Sequence, residues 1–367
     1  MALHNDAPSP GAPPPIGDLS DLAALSTWAE QRWPEPVRAM IQDGAGSNAT
    51  VQANQQAWLD WSLRTRVLTD VSHIDTSVSV LGRKLAAPIL VAPSGLHTLA
   101  HPRGEIATAE GAAAFGTTMV LSSGTGTPME DVLGLDGSSW FQFYWRRDRG
   151  TLREILTRAV ALGAEALCLT ADLPVRPLLG ERMRYAVGHL PGGPPLYVLD
   201  RSAHLSGGEW DHDARVTWKD LEWLRGITDI PIVVKGVTTA EDAVQAADNG
   251  VNAVIVSNHG GRALDHGRPT ARCLTEVVDA VAARSDAPEV LVDGGIRHGR
   301  DVLIALALGA RAVLVGRPVL WGLSAHGAAG VHGVLEFLRR ELESCMGMTG
   351  RPEVKDIDKT TITEATR

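Results

Sequence analysis

Eight short apolar runs, at 88–92, 117–122, 139–144, 165–171, 231–235, 252–257, 289–293 and 311–315, alternate with segments of helical spacing. Runs this short and continuously apolar suit strands buried on both faces of a parallel sheet. The helical segments, at 103–114, 149–162, 218–225, 239–249, 271–284, 299–308 and 330–345, are the crossovers that parallel strands require. Eight such repeats predict an α/β fold, a closed (β/α)8 TIM barrel, which typically takes about 250 residues as one unit. The length of 367 residues therefore needs no second domain, and no composition break divides the chain.

Around the barrel the sequence predicts three additions. Residues 1–17 hold Pro8, Pro10, Pro13, Pro14 and Pro15 and read as a disordered tail that cannot bury a core. Residues 18–87 then read as helices from Leu19 to about Leu63, with Trp28, Trp33, Trp58 and Trp61 available for packing. A two-strand unit through Arg66-Val67-Leu68 and Val78–Leu81 follows. The barrel domain runs to residue 350, and 351–367 read as a C-terminal tail. One connection, about Pro174 to Pro231, is unusually long and carries Pro191-Gly192-Gly193-Pro194-Pro195 and Gly207-Gly208-Glu209-Trp210. Such a stretch is either a passive insertion or a lid, and its place on the active-site face of a barrel favours the lid.

A net charge of −9 and a pI near 5.7 leave no basic footprint for nucleic acid. Cys168, Cys273 and Cys345 are far apart, with no metal spacing, which fits a reduced, cytoplasmic setting. No apolar run reaches the length of a membrane span, and the start lacks a basic region followed by an apolar one, so neither secretion nor anchoring is expected. His97, His101, His189, His204 and His298 form no metal-binding pattern.

The chemistry collects at strand ends. Pro231-Ile232-Val233-Val234-Lys235-Gly236 ends a strand in a lysine, and Ser257-Asn258-His259-Gly260-Gly261-Arg262 sets an imidazole three residues before a guanidinium. Val292-Asp293-Gly294-Gly295-Ile296-Arg297 and Val315-Gly316-Arg317 repeat a glycine turn followed by arginine. A parallel barrel builds its active site at such C-terminal strand ends. Alone, a single histidine is more often structural, and ordinary tight turns are the rival reading of the glycines. Their repetition on successive strands points to a base beside several anion ligands.

With these runs in place, the chain resembles the FMN-dependent 2-hydroxy acid oxidases and dehydrogenases from about Ser20 to Gly350. The resemblance implies FMN as cofactor and hydride transfer from C2 of a 2-hydroxy acid to flavin N5, giving a 2-oxo acid. It implies His259 as base, paired with Asp172 of Leu169-Thr170-Ala171-Asp172, and Lys235 near the flavin. Ser122, Gln142, Thr170, Lys235 and Ser257 match positions lining the flavin ring or ribityl chain, and Pro93, Ser94 and Gly95 the loop near N5. Asp293, Gly294, Gly295, Arg297, Gly316 and Arg317 match the ribityl and phosphate end. Arg262 matches the substrate carboxylate clamp, and Tyr144 either a residue near the substrate hydroxyl or a packed aromatic at the barrel mouth. A second carboxylate arginine falls on Arg182, with Arg176 as rival, because Pro174–Arg182 carries two extra residues. A homotetramer and a small-molecule substrate are the partners implied.

The chain departs from that pattern at three substrate-side positions. Met40 stands where a tyrosine is usual, Gly95 where alanine is frequent, and Gly124 where an aromatic is frequent. All three changes remove bulk or a hydroxyl, which predicts a substrate larger than glycolate or lactate, such as an aryl 2-hydroxy acid. The same flavin chemistry on a bulky alcohol or amine, a non-redox FMN barrel such as isopentenyl diphosphate isomerase, and a silent family member are the alternatives. The isomerase has no need of a carboxylate clamp beside a base, and His259, Lys235, Asp172 and Tyr144 argue against silence.

Overall fold

In the structure, a computed structural model describing residues 11–17, 19, 21–190 and 212–365, the chain first lays helices against what becomes the barrel. These are α1 (Leu22–Glu30), α2 (Glu35–Gln42) and α3 (Ala49–Gln56). Asp21 caps α1 by accepting from the Ala23 N–H at 2.8 Å, and Pro36 stands in the first turn of α2, where its missing N–H costs nothing. Trp58 and Trp33 are buried in the core as expected.

After β1 (Trp61–Leu63) comes a hairpin of β2 (Val78–Val80) and β3 (Arg83–Leu85). This corrects the expected pairing of 66–68 with 78–81. Leu81 and Gly82, at φ 47° and 81°, form a two-residue turn whose twist suits immediate antiparallel return. Val78, Val80 and Leu85 pack with Leu90, Val120, Cys168, Val233, Ile255, Leu291 and Leu314, so the hairpin plugs the barrel interior.

The eight apolar runs become β4 (Ile89–Val91), β5 (Thr118–Ser122), β6 (Ser138–Phe143), β7 (Leu167–Thr170), β8 (Ile232–Val237), β9 (Ala253–Val256), β10 (Glu289–Val292) and β11 (Ala312–Val315). All are parallel, and β11 returns to β4 to close the barrel. The crossover helices are α4 (Gly104–Phe115), α5 (Glu130–Leu133), α6 (Arg149–Ala161), α7 (Glu181–His189), α8 (Leu221–Arg225), α9 (Ala240–Asp248), α10 (Thr270–Val281) and α11 (Gly299–Ala307). Asp148 caps α6 through the Gly150 and Thr151 amides, and Thr239 caps α9 through Asp242.

The last helix, α12 (Arg317–Thr349), is longer than the 330–345 segment expected, and non-helical angles at His326 and Gly327 interrupt it. Its first stretch begins at Arg317 and directs a helix N-terminus toward the barrel mouth.

Both expected tails are corrected where the structure describes them. Gly11 accepts from Trp28 Nε1 at 3.1 Å, Pro14 O lies 2.7 Å from His326 Nε2, and Ile16 fills the notch left by Gly333. The C-terminal stretch pairs β12 (Ile362–Glu364) antiparallel with β1 and buries Ile357 and Ile362. Short apolar anchors thus give both ends enough buried surface to order. In the long connection α7 lies against α2, while 191–211, with the Pro191–Pro195 and Gly207–Trp210 stretches and the lid expectation they carry, lies outside the described residues.

Candidate active site

The loop after β9 carries the base candidate. His259 sits at φ 60°, a conformation rare for a side-chain-bearing residue, so the surroundings must hold it there. Its N–H donates to Ser257 Oγ at 3.0 Å, and its ring Nδ1 lies 3.0 Å from Asp172 Oδ1. The carboxylate selects the tautomer with the proton on Nδ1 and leaves Nε2 as an acceptor. Burial lowers the His259 pKa and the Lys235 and Arg262 charges add to that, against the opposing pull of Asp172. The ring is therefore neutral and basic at pH 7.

Asp172 reaches this ring because β8 bulges at Gly236, where φ is +110° and a Cβ would stand 2.6 Å from Asp172 Cβ. Burial opposes ionisation of Asp172, but His259 and Lys235 outweigh it and hold the carboxyl below its usual range. Its Oδ2 is buried without a partner.

Lys235, near the C-terminal end of β8, is almost fully buried, 2.8 Å from Ser257 Oγ and 3.4 Å from Asp293 Oδ2. Burial would lower its pKa, yet the Asp293 and Asp172 carboxylates raise it well above the ordinary value, so the ammonium stays charged. Ser257 Oγ also donates to Asp293 at 3.0 Å. On the far side of the barrel, Ser122 Oγ donates to Gln142 Oε1 at 3.0 Å and Gln142 Nε2 donates to Thr170 Oγ1 at 2.8 Å. That chain locks the Gln142 amide across three strands.

Three guanidiniums complete the site. Arg262 donates to the Met40 and Asp43 carbonyls at 2.8 and 2.9 Å, and Arg317 to those of Ile41 and Gly260 at 3.1 and 2.9 Å. The carbonyls at the end of α2, the negative end of its dipole, hold both cations. Arg297 donates to Ile296 O and lies over Trp321 at 5.0 Å. None of the three pairs with a carboxylate side chain among the described residues. Burial pushes Arg297 down to about 10 and, with repulsion from Arg262 and Arg297, pushes Arg317 down to about 9. A guanidinium is still charged at pH 7 there, so burial, joined at Arg317 by like charges, leaves both cations favourable to an incoming anion.

Met40, Pro93, Ser94, Gly95, Ser122, Gly124, Tyr144, Lys235, His259, Arg262, Asp293, Gly294, Gly295, Arg297, Gly316 and Arg317 line one cavity of about 300 Å³, whereas Asp172, Gln142, Thr170 and Ser257 are not among its lining residues. A family model described as FMN-dependent dehydrogenase matches residues 29–364. The chain belongs to the FMN-dependent dehydrogenases. A peroxisomal (S)-2-hydroxy-acid oxidase of Oryza sativa subsp. japonica is 44% identical to it over 346 residues, 90% of this chain and 92% of that one. An L-lactate oxidase of Nostoc sp. is 42% identical over 335 residues, 86% and 90% of the two chains. The structure of a mandelate oxidase with 3,3-difluoro-2-hydroxy-3-phenylpropionic acid is 36% identical and superposes at a TM-score of 0.85, covering 94% and 99%.

As a member of this family the protein is an FMN-dependent oxidase or dehydrogenase of 2-hydroxy acids, and its residues fit the cofactor. Arg297, Arg317 and the first amides of α12 lie at one end of this cavity and would hold a phosphate there. Asp293 Oδ1 is a buried acceptor with no partner, suited to a ribityl hydroxyl. The charged Lys235 ammonium, 3.4 Å from Asp293 Oδ2, would suit a ring that takes on negative charge.

Arg182 is the main departure. Its guanidinium is half exposed and paired with Glu35 at 2.8 Å and Asp43 at 3.4 Å, and it does not line the cavity. Arg176 is exposed and does not line it either. Packing of α7 on α2, whose carboxylates capture the guanidinium, explains why the sequence pattern misplaced it. Tyr144 lines the cavity and stacks on His212 at 4.3 Å; burial, then the Asp172 charge, pushes its hydroxyl up to about 12.

Sequence reasoning missed the support from α3. Asn54 and Asn258 exchange two amide hydrogen bonds, both 2.8 Å, and Trp58 Nε1 donates to Gly294 O at 2.8 Å. The one available signal was the buried repeat Thr50, Asn54, Trp58 at helical spacing, polar where an apolar face is expected. Gly295, at φ +83°, is glycine partly because a Cβ would collide with Asn54 O.

Proposed function

We propose that this protein oxidises an aryl or similarly bulky 2-hydroxy acid, with His259 as the base. The observation that carries the reading is that Met40, Gly95 and Gly124 line the same cavity as His259 and Arg262. Leu96 and Leu99 extend that wall, so the side-chain region is apolar and free of bulk. A mandelate oxidase that holds a phenyl-bearing 2-hydroxy acid shares this architecture, which supports the reading.

When bound, FMN supplies the acceptor for the hydride from C2. Arg262 pairs with the substrate carboxylate by charge-assisted hydrogen bonds and fixes C2 in the cavity. His259 Nε2 takes the hydroxyl proton, and Asp172, 3.0 Å from Nδ1, stabilises the imidazolium that results. Tyr144, whose raised pKa keeps it protonated, is a hydroxyl donor at the mouth. Lys235 balances negative charge arriving near Asp293.

Anaerobic mixing of the flavin-loaded protein with mandelate, lactate and glycolate tests this. The expected outcome is flavin bleaching fastest, at equal concentration, with mandelate. A higher kcat/KM for glycolate than for any aryl acid would overturn the substrate class and leave the chemistry standing.

A further inference from the structure

The mechanism above makes no use of Glu105, a carboxylate with no exposed surface in the first turn of α4. Its Oε1 accepts from the His97 N–H at 3.0 Å and the Gly126 N–H at 2.9 Å, and its Oε2 accepts from Thr127 Oγ1 at 2.8 Å. These donors belong to two different loops, one after β4 and one after β5. Burial works against ionisation, but the His97 ring and the three donors hold the carboxyl below its usual range. A helix-start carboxylate ordinarily serves the free amides of its own helix. This one spends its bonds on the loops.

The two loops also meet directly, at the cavity wall. Leu96 N–H donates to Gly124 O at 3.1 Å, and a Cβ on Gly95 would stand 3.0 Å from that same oxygen. Thr98 fits between Gly104 and Gly126, so closely that a Cβ on Gly104 would meet its methyl at 2.6 Å. Leu96 is at φ 60°, a conformation the loop must be made to keep. On the far side His97 Nδ1 meets Thr108 Oγ1 at 2.9 Å, which anchors the first loop to the body of α4.

We propose that Glu105 is a positioning residue for substrate selection, whose buried carboxylate ties the loop after β4 to the loop after β5 and so sets the Gly95 and Gly124 wall that the substrate side chain meets. The proposal rests on the cavity being the 2-hydroxy acid pocket and does not require the aryl preference. Glu105 does not line the cavity and acts through His97, Gly126 and Thr127.

Glu105→Ala and Glu105→Gln in the flavin-loaded enzyme test it. The readout is the ratio of kcat/KM for mandelate to that for glycolate, with KM and kcat separated and the flavin spectrum as a check on the site. Freed loops should move the ratio by about tenfold in Glu105→Ala, mostly through KM, since small shifts of a pocket wall have effects of that size. Glu105→Gln should restore the ratio to near its wild-type value, because the amide oxygen keeps both backbone donors and the Thr127 hydroxyl can turn to accept. A role in folding alone would lower Tm and leave the ratio where it was, and that result would overturn the proposal. So would a Gln variant as altered as the Ala variant. If Glu105→Ala does not fold, Thr127→Val removes one bond only and should move the ratio about threefold, with no movement counting against the proposal. Should mandelate fail to reduce the wild-type flavin, the aryl reading falls, and the lactate to glycolate ratio reports on Glu105 in its place.

Discussion

His259 Nδ1 and Asp172 Oδ1 meet at 3.0 Å across the barrel mouth, 87 residues apart in sequence. The pairing divides the imidazole into a held nitrogen and a working one. The other carboxylate oxygen, Asp172 Oδ2, has no hydrogen-bond partner among the described residues.

Replacing Asp172 by Asn should therefore lower the rate of flavin reduction on the order of 10²-fold while FMN stays bound, as stopped-flow absorbance would show. The same variant has a signature in pH. The base must be neutral, so activity rises with pH through a His259 pKa that burial holds below the usual value near 6.5. Asp172 pulls that pKa up, so its removal moves the acidic limb of the kcat/KM profile to still lower pH. A limb that moved to higher pH would contradict the assignment of His259 as base.

Arg317 is held by the carbonyls of Ile41 and Gly260 and makes no salt bridge among the described residues. Arg317→Met should weaken FMN binding by about ten- to a hundredfold, the worth of a charge-assisted contact. Titration of the flavin-stripped protein with FMN measures it. Riboflavin, which has no phosphate, should bind wild type and variant alike.

Gly124 lines the cavity and has space beside it, its nearest contact for an added Cβ being Ser122 Oγ at 3.5 Å. Gly124→Trp should fill the apolar side of the pocket and cut kcat/KM for mandelate by more than about tenfold, with glycolate much less affected. Equal losses on both acids would mean that the indole blocks the base and not the side-chain pocket.

Removing residues after Gly350 takes away β12, its pairing with β1, and the buried Ile357 and Ile362. Loss of two buried aliphatic side chains is worth about 2–5 kcal/mol in such settings, and thermal denaturation should show a clear fall in Tm. An unchanged Tm would mean that the C-terminal stretch adds nothing to stability.

The eight strands were legible because a buried parallel strand leaves a local mark, a few consecutive apolar residues, that no neighbour is needed to read. The site was legible where each residue lies near the C-terminal end of one of those strands or just past it, as Lys235 in β8, His259 in the loop after β9 and Asp293 directly after β10 do. Arg182 was not, because its position depends on how α7 packs against α2 and on the Glu35 and Asp43 carboxylates it meets there. The pairing of β2 with β3 was missed because turn geometry at Leu81 and Gly82, not apolar content, selected the partner.

By itself the sequence determined the barrel, the strand ends on which chemistry is carried, and the kinds of side chain placed there, since periodicity and motif spacing act over a few residues. Only the tertiary structure decided which of those groups share a cavity and what holds them. Asn54 and Asn258 bind each other across 204 residues, Arg262 and Arg317 rest on carbonyls of a helix far upstream, and Glu105 bridges two loops from behind. Such contacts depend on closing long loops in space, and no local pattern in the chain records which distant partners will meet.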